Sequence, residues 1–164
     1  MSYMKYLLSV LLLVVATFSV SAKNKTNKDE WKYDIECAGS GEQGVYIVKV
    51  WTYAKNANVA SDLMKKNAVH GVLFRGFGGE RGCTAQKPIA GSIATYHEKQ
   101  EYFNTFFQTG GTFLKYANIM SPTPEVIKVG KKEFKVGVVV AVSKDMLRKD
   151  LEQAGVIRNL SSGF

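Results

Sequence analysis

The pattern of apolar residues predicts an α+β domain in which three helices pack mainly on one face of a mixed β-sheet. Residues 31–37 alternate between apolar and polar side chains, as in a strand with one buried face. From Val59 onward the apolar positions change to helical spacing. Residues 136–142 are apolar at almost every position, which is typical of a central strand. A sheet with helices on one face is the simplest architecture that buries all three patterns.

The complete element order predicted from the sequence is β-β-α-β-α-β-β-β-α. Residues 45–77 form a strand-helix-strand unit, which would cross over in the right-handed sense if its two strands are parallel. The helices are expected to begin near residues 59, 95 and 143, and to end at Gly71, Gly110 and Gly155. The six predicted strands cover residues 31–37, 45–53, 72–74, 112–120, 125–129 and 133–142.

Each of the three predicted helices has a candidate cap at its start, which is Asn56 or Asn58 for the first helix. Thr95 and Glu98 have the spacing of a capping box, in which each side chain binds a free backbone N–H of the other residue. Ser143 stands immediately before the last apolar helical stripe and is expected to be its N-cap.

The N-terminus has the three parts of a cleavable secretory signal. Lys5 provides the charged part, and residues 6–15 form an unbroken apolar run. Small and compact residues follow, with Val20 and Ala22 at the two positions that signal peptidase recognises. We therefore expect cleavage after Ala22.

Three segments follow from this cleavage: a signal peptide over residues 1–22, a disordered leader over 23–30, and one α+β domain over 31–164. The leader is polar and lacks periodicity. The alternative for the first segment is a transmembrane anchor, but a span needs about 20 apolar residues, and hydroxyl side chains interrupt this run. We therefore expect an exported protein, in the periplasm or outside the cell, with no stable membrane span after cleavage.

The charge of the chain is positive, and this property limits the classes of partner. The sequence has 22 basic and 14 acidic residues, which gives a net charge of +8. A solvated charged face explains most of this excess, and the alternative is attraction to an anionic component of the cell envelope. The basic residues considered for such a face are Lys65, Lys66, Lys128, Lys131, Lys132, Lys135, Arg148, Lys149 and Arg158.

The two cysteines, Cys37 and Cys83, are candidates for a disulfide. An even number of cysteines in an exported protein makes a bond possible, and two buried free thiols are the alternative. A bond between these positions would stabilise the folded chain by roughly 4 kcal/mol in the chain-entropy model.

The glycine-rich loop over residues 75–88 is the most unusual segment of the sequence. Its cations Arg75, Arg81 and Lys87 could form a cradle for an anion, and an ordinary surface loop is the alternative. Residues 75–78 also match the start of an aromatic RNA-binding strand motif, but Gly79 and Glu80 break the match. Because export also separates the protein from RNA, we expect no nucleic-acid partner.

The sequence contains no recognisable catalytic set, so an enzyme is the less favoured class. Neither His70 nor His97 belongs to a metal-binding motif, and we expect no metal and no cofactor. A hydrolase that uses Cys83 as nucleophile, with His97 as its base, is a conceivable alternative.

Two long segments, residues 45–78 and 142–164, resemble a family of small exported proteins from Bacteroidetes-type bacteria. This resemblance implies export and a single domain, and it supplies no catalytic residue because that family has no established activity. A fainter similarity connects the strand, the helix and the Arg-Gly return with small mixed-sheet domains of envelope lipoproteins. The lipid-bearing cysteine of those lipoproteins is missing from this sequence.

The function expected from the sequence is that of an exported, non-catalytic accessory or binding protein of the cell envelope. Its partner would be a protein or an anionic envelope component. A subunit of a surface assembly is the main alternative, and the hydrolase is a weaker one.

Overall fold

Five antiparallel strands form one sheet in the computed structural model, which describes residues 31–80, 82–121 and 123–159. The sheet order is β1-β2-β5-β3, and β4 pairs with the same edge of β5 that β3 occupies further along. The strands are β1 (Tyr33–Gly39), β2 (Tyr46–Ala54), β3 (Ala117–Ile119), β4 (Glu125–Gly130) and β5 (Glu133–Val142). The predicted signal peptide and leader lie outside the described residues.

The valine-rich strand β5 is central, as its composition predicts. It pairs with β2 on one side and with β3 and β4 on the other. Every second residue from Val136 to Val142 is at most 3 % exposed and faces the core. The intervening positions lie on the other face of the sheet, where Gly137 is opposite Trp51 of β2. The sheet therefore has one packed face and one open face.

The helices pack on the inner face of the sheet, which confirms the α+β class. The longest helix, α1, contacts β1, β2, β3 and β5. The helical elements are α1 (Ser61–Phe74), α2 (Ile93–Glu98), α3 (Gln100–Phe106), a 3₁₀ turn (Thr112–Tyr116) and α4 (Lys144–Gln153). The described residues from Trp31 to Asn159 belong to one compact unit. In the described part of the chain, no helix has the length and apolar character needed to cross a membrane.

One predicted strand is wrong, because Val72–Phe74 is the last turn of α1. Residues 67–74 are all buried, and a helix buried on every side has the same apolar composition as a short central strand. Gly71 does not end the helix. It lies where α1 crosses β1, and a Cβ at this position would come within 2.5 Å of Ile35 Cδ1. The strand-helix-strand crossover is therefore absent, and every strand pairing in the described sheet is antiparallel.

The capping and boundary predictions also needed correction. Ser92 is the N-cap of α2, where its Oγ accepts a hydrogen bond from the Ala94 N–H at 3.2 Å. Thr95 instead donates its hydroxyl to the Ala90 carbonyl at 2.9 Å. Ser143 precedes α4 without a side-chain capping bond. The predicted strand over 112–120 is a 3₁₀ turn for its first half.

Candidate functional site

The glycine-rich loop is fixed to the sheet at several points. A disulfide joins Cys83 to Cys37 of β1, across a Cα–Cα distance of 6.3 Å and 46 positions of sequence. Phe77 and Gln86 form a two-way backbone pairing, with N···O distances of 3.0 and 2.9 Å. These contacts make the loop a short hairpin with a defined position.

Gly76 permits the close turn that brings the two arms of this hairpin together. Its φ of +67° lies in the left-handed region, which L side chains rarely adopt. A Cβ here would lie 2.2 Å from the Gln86 carbonyl oxygen. The glycine is therefore required by local geometry.

Arg75 binds the edge of β1 and does not line the cavities described below. Its guanidinium donates to the carbonyl of Tyr33 at 2.6 Å and to that of Trp31 at 2.8 Å. The same group lies 3.9 Å from the centre of the Tyr33 ring. Arg75 therefore has a structural role that its sequence context did not predict. Arg81 lies outside the described residues.

Lys87, the third predicted anion-binding residue, lies beside a polar groove of about 420 Å³. Lys144 and Arg148 of α4, one helical turn apart, line the same groove. We call this cavity the basic groove. Its described lining consists of Tyr46, Ala85, Gln86, Lys87, Pro88, Ile89, Lys144, Asp145 and Arg148.

Charge in the basic groove is positive but partly balanced. Lys144 is paired with Asp145, the only carboxylate among the described lining residues. Arg148 lies 3.4 Å from Glu152, one turn further along α4. Lys87 is exposed and has no ion pair among the described residues. Three cations and one carboxylate therefore line the groove, and this excess of positive charge suits an anionic ligand.

Tyr46 and Gln86 line both the basic groove and a second cavity. The Tyr46 hydroxyl donates to Gln86 Oε1 at 2.6 Å, and the tyrosine ring contacts Phe77 edge-on with centroids 5.2 Å apart. The second cavity measures about 200 Å³ and is lined in part by both cysteines. A tyrosine hydroxyl and a glutamine amide, hydrogen-bonded to each other, therefore lie next to the cations.

The sequence identified Lys87 as a candidate and included Arg148 among the scattered basic residues, but it did not single out Lys144 or connect the three. Lys144 and Arg148 have the i, i+4 spacing that places them on one helical face. Their spacing could have identified this face in advance. Nothing local in the sequence indicates that this face lines the same groove as Lys87, because the two segments meet only in the folded chain.

The described structure does not offer the Cys83 nucleophile that the hydrolase alternative needs. The sulfur of Cys83 is bonded to Cys37, so no thiol is available there as a nucleophile. His70 is buried in an aromatic cluster, and His97 is exposed at the end of α2. No group of three or more metal-ligating side chains occurs within residues 31–80, 82–121 and 123–159.

The comparisons with known proteins identify no relative of this chain. No protein-family model matches it, and neither the curated proteins nor the solved structures contain a significant match.

Proposed function

We propose that this protein is an exported, non-catalytic binding protein that holds an anionic component of the cell envelope in the basic groove. The observation that carries the proposal is the convergence of Lys87 with Lys144 and Arg148 around one polar cavity. Two segments that are far apart in sequence contribute these cations. The secretory pattern of residues 1–22 supports export, and an envelope offers many anionic groups.

The form of the groove favours an acidic headgroup or a repeating acidic polymer over a bulky apolar ligand. Its described lining is mainly polar, and the Tyr46 hydroxyl and the Gln86 amide in that lining can orient a polar ligand. Arg148 can bind an oxyanion with two parallel hydrogen bonds, whereas the lysines act as point charges. Binding should weaken as salt concentration rises, because these cations are partly exposed.

The test compares two triple variants that remove the same charge. The groove variant carries Lys87→Gln, Lys144→Gln and Arg148→Gln, and the control variant carries Lys55→Gln, Lys99→Gln and Lys149→Gln. The three control lysines are exposed and do not line the groove. The probes are heparin and vesicles of phosphatidylcholine with and without phosphatidylglycerol.

We expect the groove variant to bind the anionic probes about tenfold or more weakly than the control. Each lost charge-assisted hydrogen bond costs roughly 1.5 kcal/mol or more, and 1.4 kcal/mol corresponds to a tenfold change in affinity. Equal losses in both variants would assign binding to net charge and contradict the proposal. Failure of the unmodified protein to bind either anionic probe would also contradict it.

Export has its own test in the host cell. Fractionation followed by N-terminal sequencing should recover the protein outside the cytoplasm with Lys23 as its first residue. An uncleaved chain in the membrane fraction would contradict this part of the proposal.

A further inference from the structure

The two strands at the outer limits of the sheet differ in how their free edges are covered. At β1, Arg75 binds the outward carbonyls of Trp31 and Tyr33, and a disulfide attaches the loop at Cys37. Such coverage is the usual protection of an edge strand against pairing with another chain. Strand β4 has no comparable cover among the described residues.

The direction of the backbone groups in β4 follows from the strand beside it. Val139 donates its N–H to Ser121 Oγ at 3.2 Å, and its carbonyl accepts the Met120 N–H at 2.8 Å. Val139 therefore directs both backbone groups to the β3–β4 side. Because this direction alternates along an antiparallel strand, Gly137 and Lys135 also face β4.

The directions of Gly137 and Lys135 show which backbone N–H and C=O groups of β4 point away from the sheet. Glu125 is opposite Gly137 and Ile127 is opposite Lys135, so Glu125 and Ile127 turn their backbone groups inward to the ladder. By the same alternation, Val126 and Lys128 turn their N–H and C=O groups away from the sheet. Strand β4 thus offers two donors and two acceptors to an additional strand.

Exposed apolar side chains lie on both faces of this edge, because Val126 is opposite core-facing Val136, whereas Ile127 is opposite Lys135 on the other face. Val126, Ile127 and Val129 are 46–48 % exposed, and Met120 in the preceding segment is 57 % exposed. These are four of the seven large apolar side chains that are exposed among the described residues. Such a concentration of exposed apolar side chains along a free sheet edge is typical of an interaction site.

The charge at this edge is positive and is not balanced by neighbours. Lys128, Lys131 and Lys132 are exposed, and none has an ion pair within the described part of the chain. Glu125 at the other end of the strand is paired with Lys49 at 2.6 Å. An acidic partner would therefore meet three unpaired cations.

We propose that the free edge of β4 binds an extended acidic segment of a partner protein, which adds a sixth strand to the sheet. Main-chain hydrogen bonds to Val126 and Lys128 provide affinity, and carboxylates facing the lysines provide selectivity. This interaction lies outside the basic groove, so it is independent of the function proposed above.

Two other occupants fit these observations less well. A second copy of the chain would offer only one carboxylate from its β4, Glu125, which is already paired with Lys49, so the three lysines of each edge would gain no free acidic partner there. A lipid bilayer would leave the outward N–H and C=O groups without partners in hydrocarbon, at a cost of several kcal/mol. An extended strand of acidic and apolar residues would neutralise the lysines and would also hydrogen-bond the outward N–H and C=O groups of Val126 and Lys128.

The direct test is titration of the full protein with a synthetic peptide that alternates valine and glutamate, with a valine–lysine peptide as control. Nuclear magnetic resonance with amide exchange reports on the N–H groups of Val126 and Lys128. We expect the acidic peptide to slow exchange at both amides and the basic peptide to have no effect. The triple groove variant described above should bind the acidic peptide as the unmodified protein does.

A pair of variants at one position separates charge from backbone pairing. Lys128→Gln removes only the charge, and we expect a loss of about two- to fivefold in peptide affinity. Lys128→Pro also removes the outward N–H, a substitution that an edge strand tolerates, and we expect a further loss of about tenfold. Spectra of both variants establish that the sheet is intact.

Several outcomes would overturn the proposal. These are equal binding of the two peptides, equal affinity of the two Lys128 variants, or exchange protection at Val126 and Lys128 in the free monomer. Protection that appears only together with a dimer in light scattering would assign the edge to a second copy. Protection by anionic vesicles without any by the acidic peptide would assign it to a membrane surface.

Discussion

Lowering the pH should destabilise this protein through a single buried imidazole. His70 is 2 % exposed and stacks against Trp31, with ring centroids 3.6 Å apart. Its Nδ1 is 2.7 Å from the Tyr33 hydroxyl, while Nε2 has no hydrogen-bond partner. Burial, reinforced by the charges of Arg75 and Lys66, lowers the pKa of His70 to about 3. The folded protein therefore keeps this imidazole neutral.

The size and sign of the effect follow from linkage between protonation and folding. In the unfolded chain His70 titrates near its ordinary pKa of about 6.5, so between pH 6.5 and 3 the unfolded state binds the extra proton. Stability is fully present above pH 6.5 and falls as the pH is lowered. At 1.36 kcal/mol per pH unit, the loss is roughly 3 kcal/mol at pH 4 and 4–5 kcal/mol below pH 3. A typical domain has only 5–15 kcal/mol in total.

The assay is urea unfolding at pH 7 and pH 4, followed by circular dichroism. The test variant combines His70→Leu with Tyr33→Phe, because replacing both partners avoids leaving the hydroxyl unpaired. Tyr33→Phe alone is the control, since it retains the imidazole. We expect the pH dependence of the control to match the unmodified protein and that of the double variant to be smaller by roughly 3 kcal/mol.

Carboxylates contribute to the same pH dependence but do not obscure the comparison. Lys135 and Lys115 hold the pKa values of Asp34 and Asp150 below the ordinary range through direct hydrogen bonds. Their contributions are also lost on acidification, and they are common to all three proteins. If the double variant retained the full pH dependence, His70 would have to be accessible to protons in the folded state, which would refute the argument.

Three further perturbations test the packing. Gly137→Ala would place a Cβ 2.6 Å from the Trp51 ring. We therefore expect a loss of about 1–3 kcal/mol in unfolding free energy and altered tryptophan fluorescence. Unchanged stability would contradict the close contact. Reducing the Cys37–Cys83 bond should cost roughly 4 kcal/mol in urea unfolding, and mass spectrometry that found two alkylatable thiols without reductant would rule the bond out. Arg75→Ala should cost about 1.5–3 kcal/mol by freeing two carbonyls of the β1 edge, with Arg75→Lys intermediate; equal stability of both variants would argue against bidentate binding.

Most strands and helices were predictable because each has a periodic pattern that local steric rules impose. Strand β5 is an example, since its run of valines indicates burial regardless of its neighbours. The last turn of α1 was not predictable in this way. A segment buried on all sides loses its periodicity, and Gly71 resembled a helix end although it permits close contact with Ile35.

The candidate site was predictable only in part. The sequence identified Lys87 and the cysteine pair as candidates, because residue type and compartment limit what they can do. It also grouped Arg75 with the anion-binding cations, but that guanidinium binds backbone carbonyls of β1. A side chain's partner depends on which segments meet, and those segments are more than 40 positions apart.

By itself, the sequence determined the α+β class, the central position of β5, and the pattern from which export is expected. Only the tertiary structure decided that the basic groove joins Lys87 with α4, that Arg75 closes one edge of the sheet, and that β4 is left open at the other. The physical reason is the difference in sequence range between the interactions that form secondary structure and those that form tertiary structure. Periodicity and capping act between residues a few positions apart, whereas edges, grooves and burial arise when distant segments pack together and exclude water.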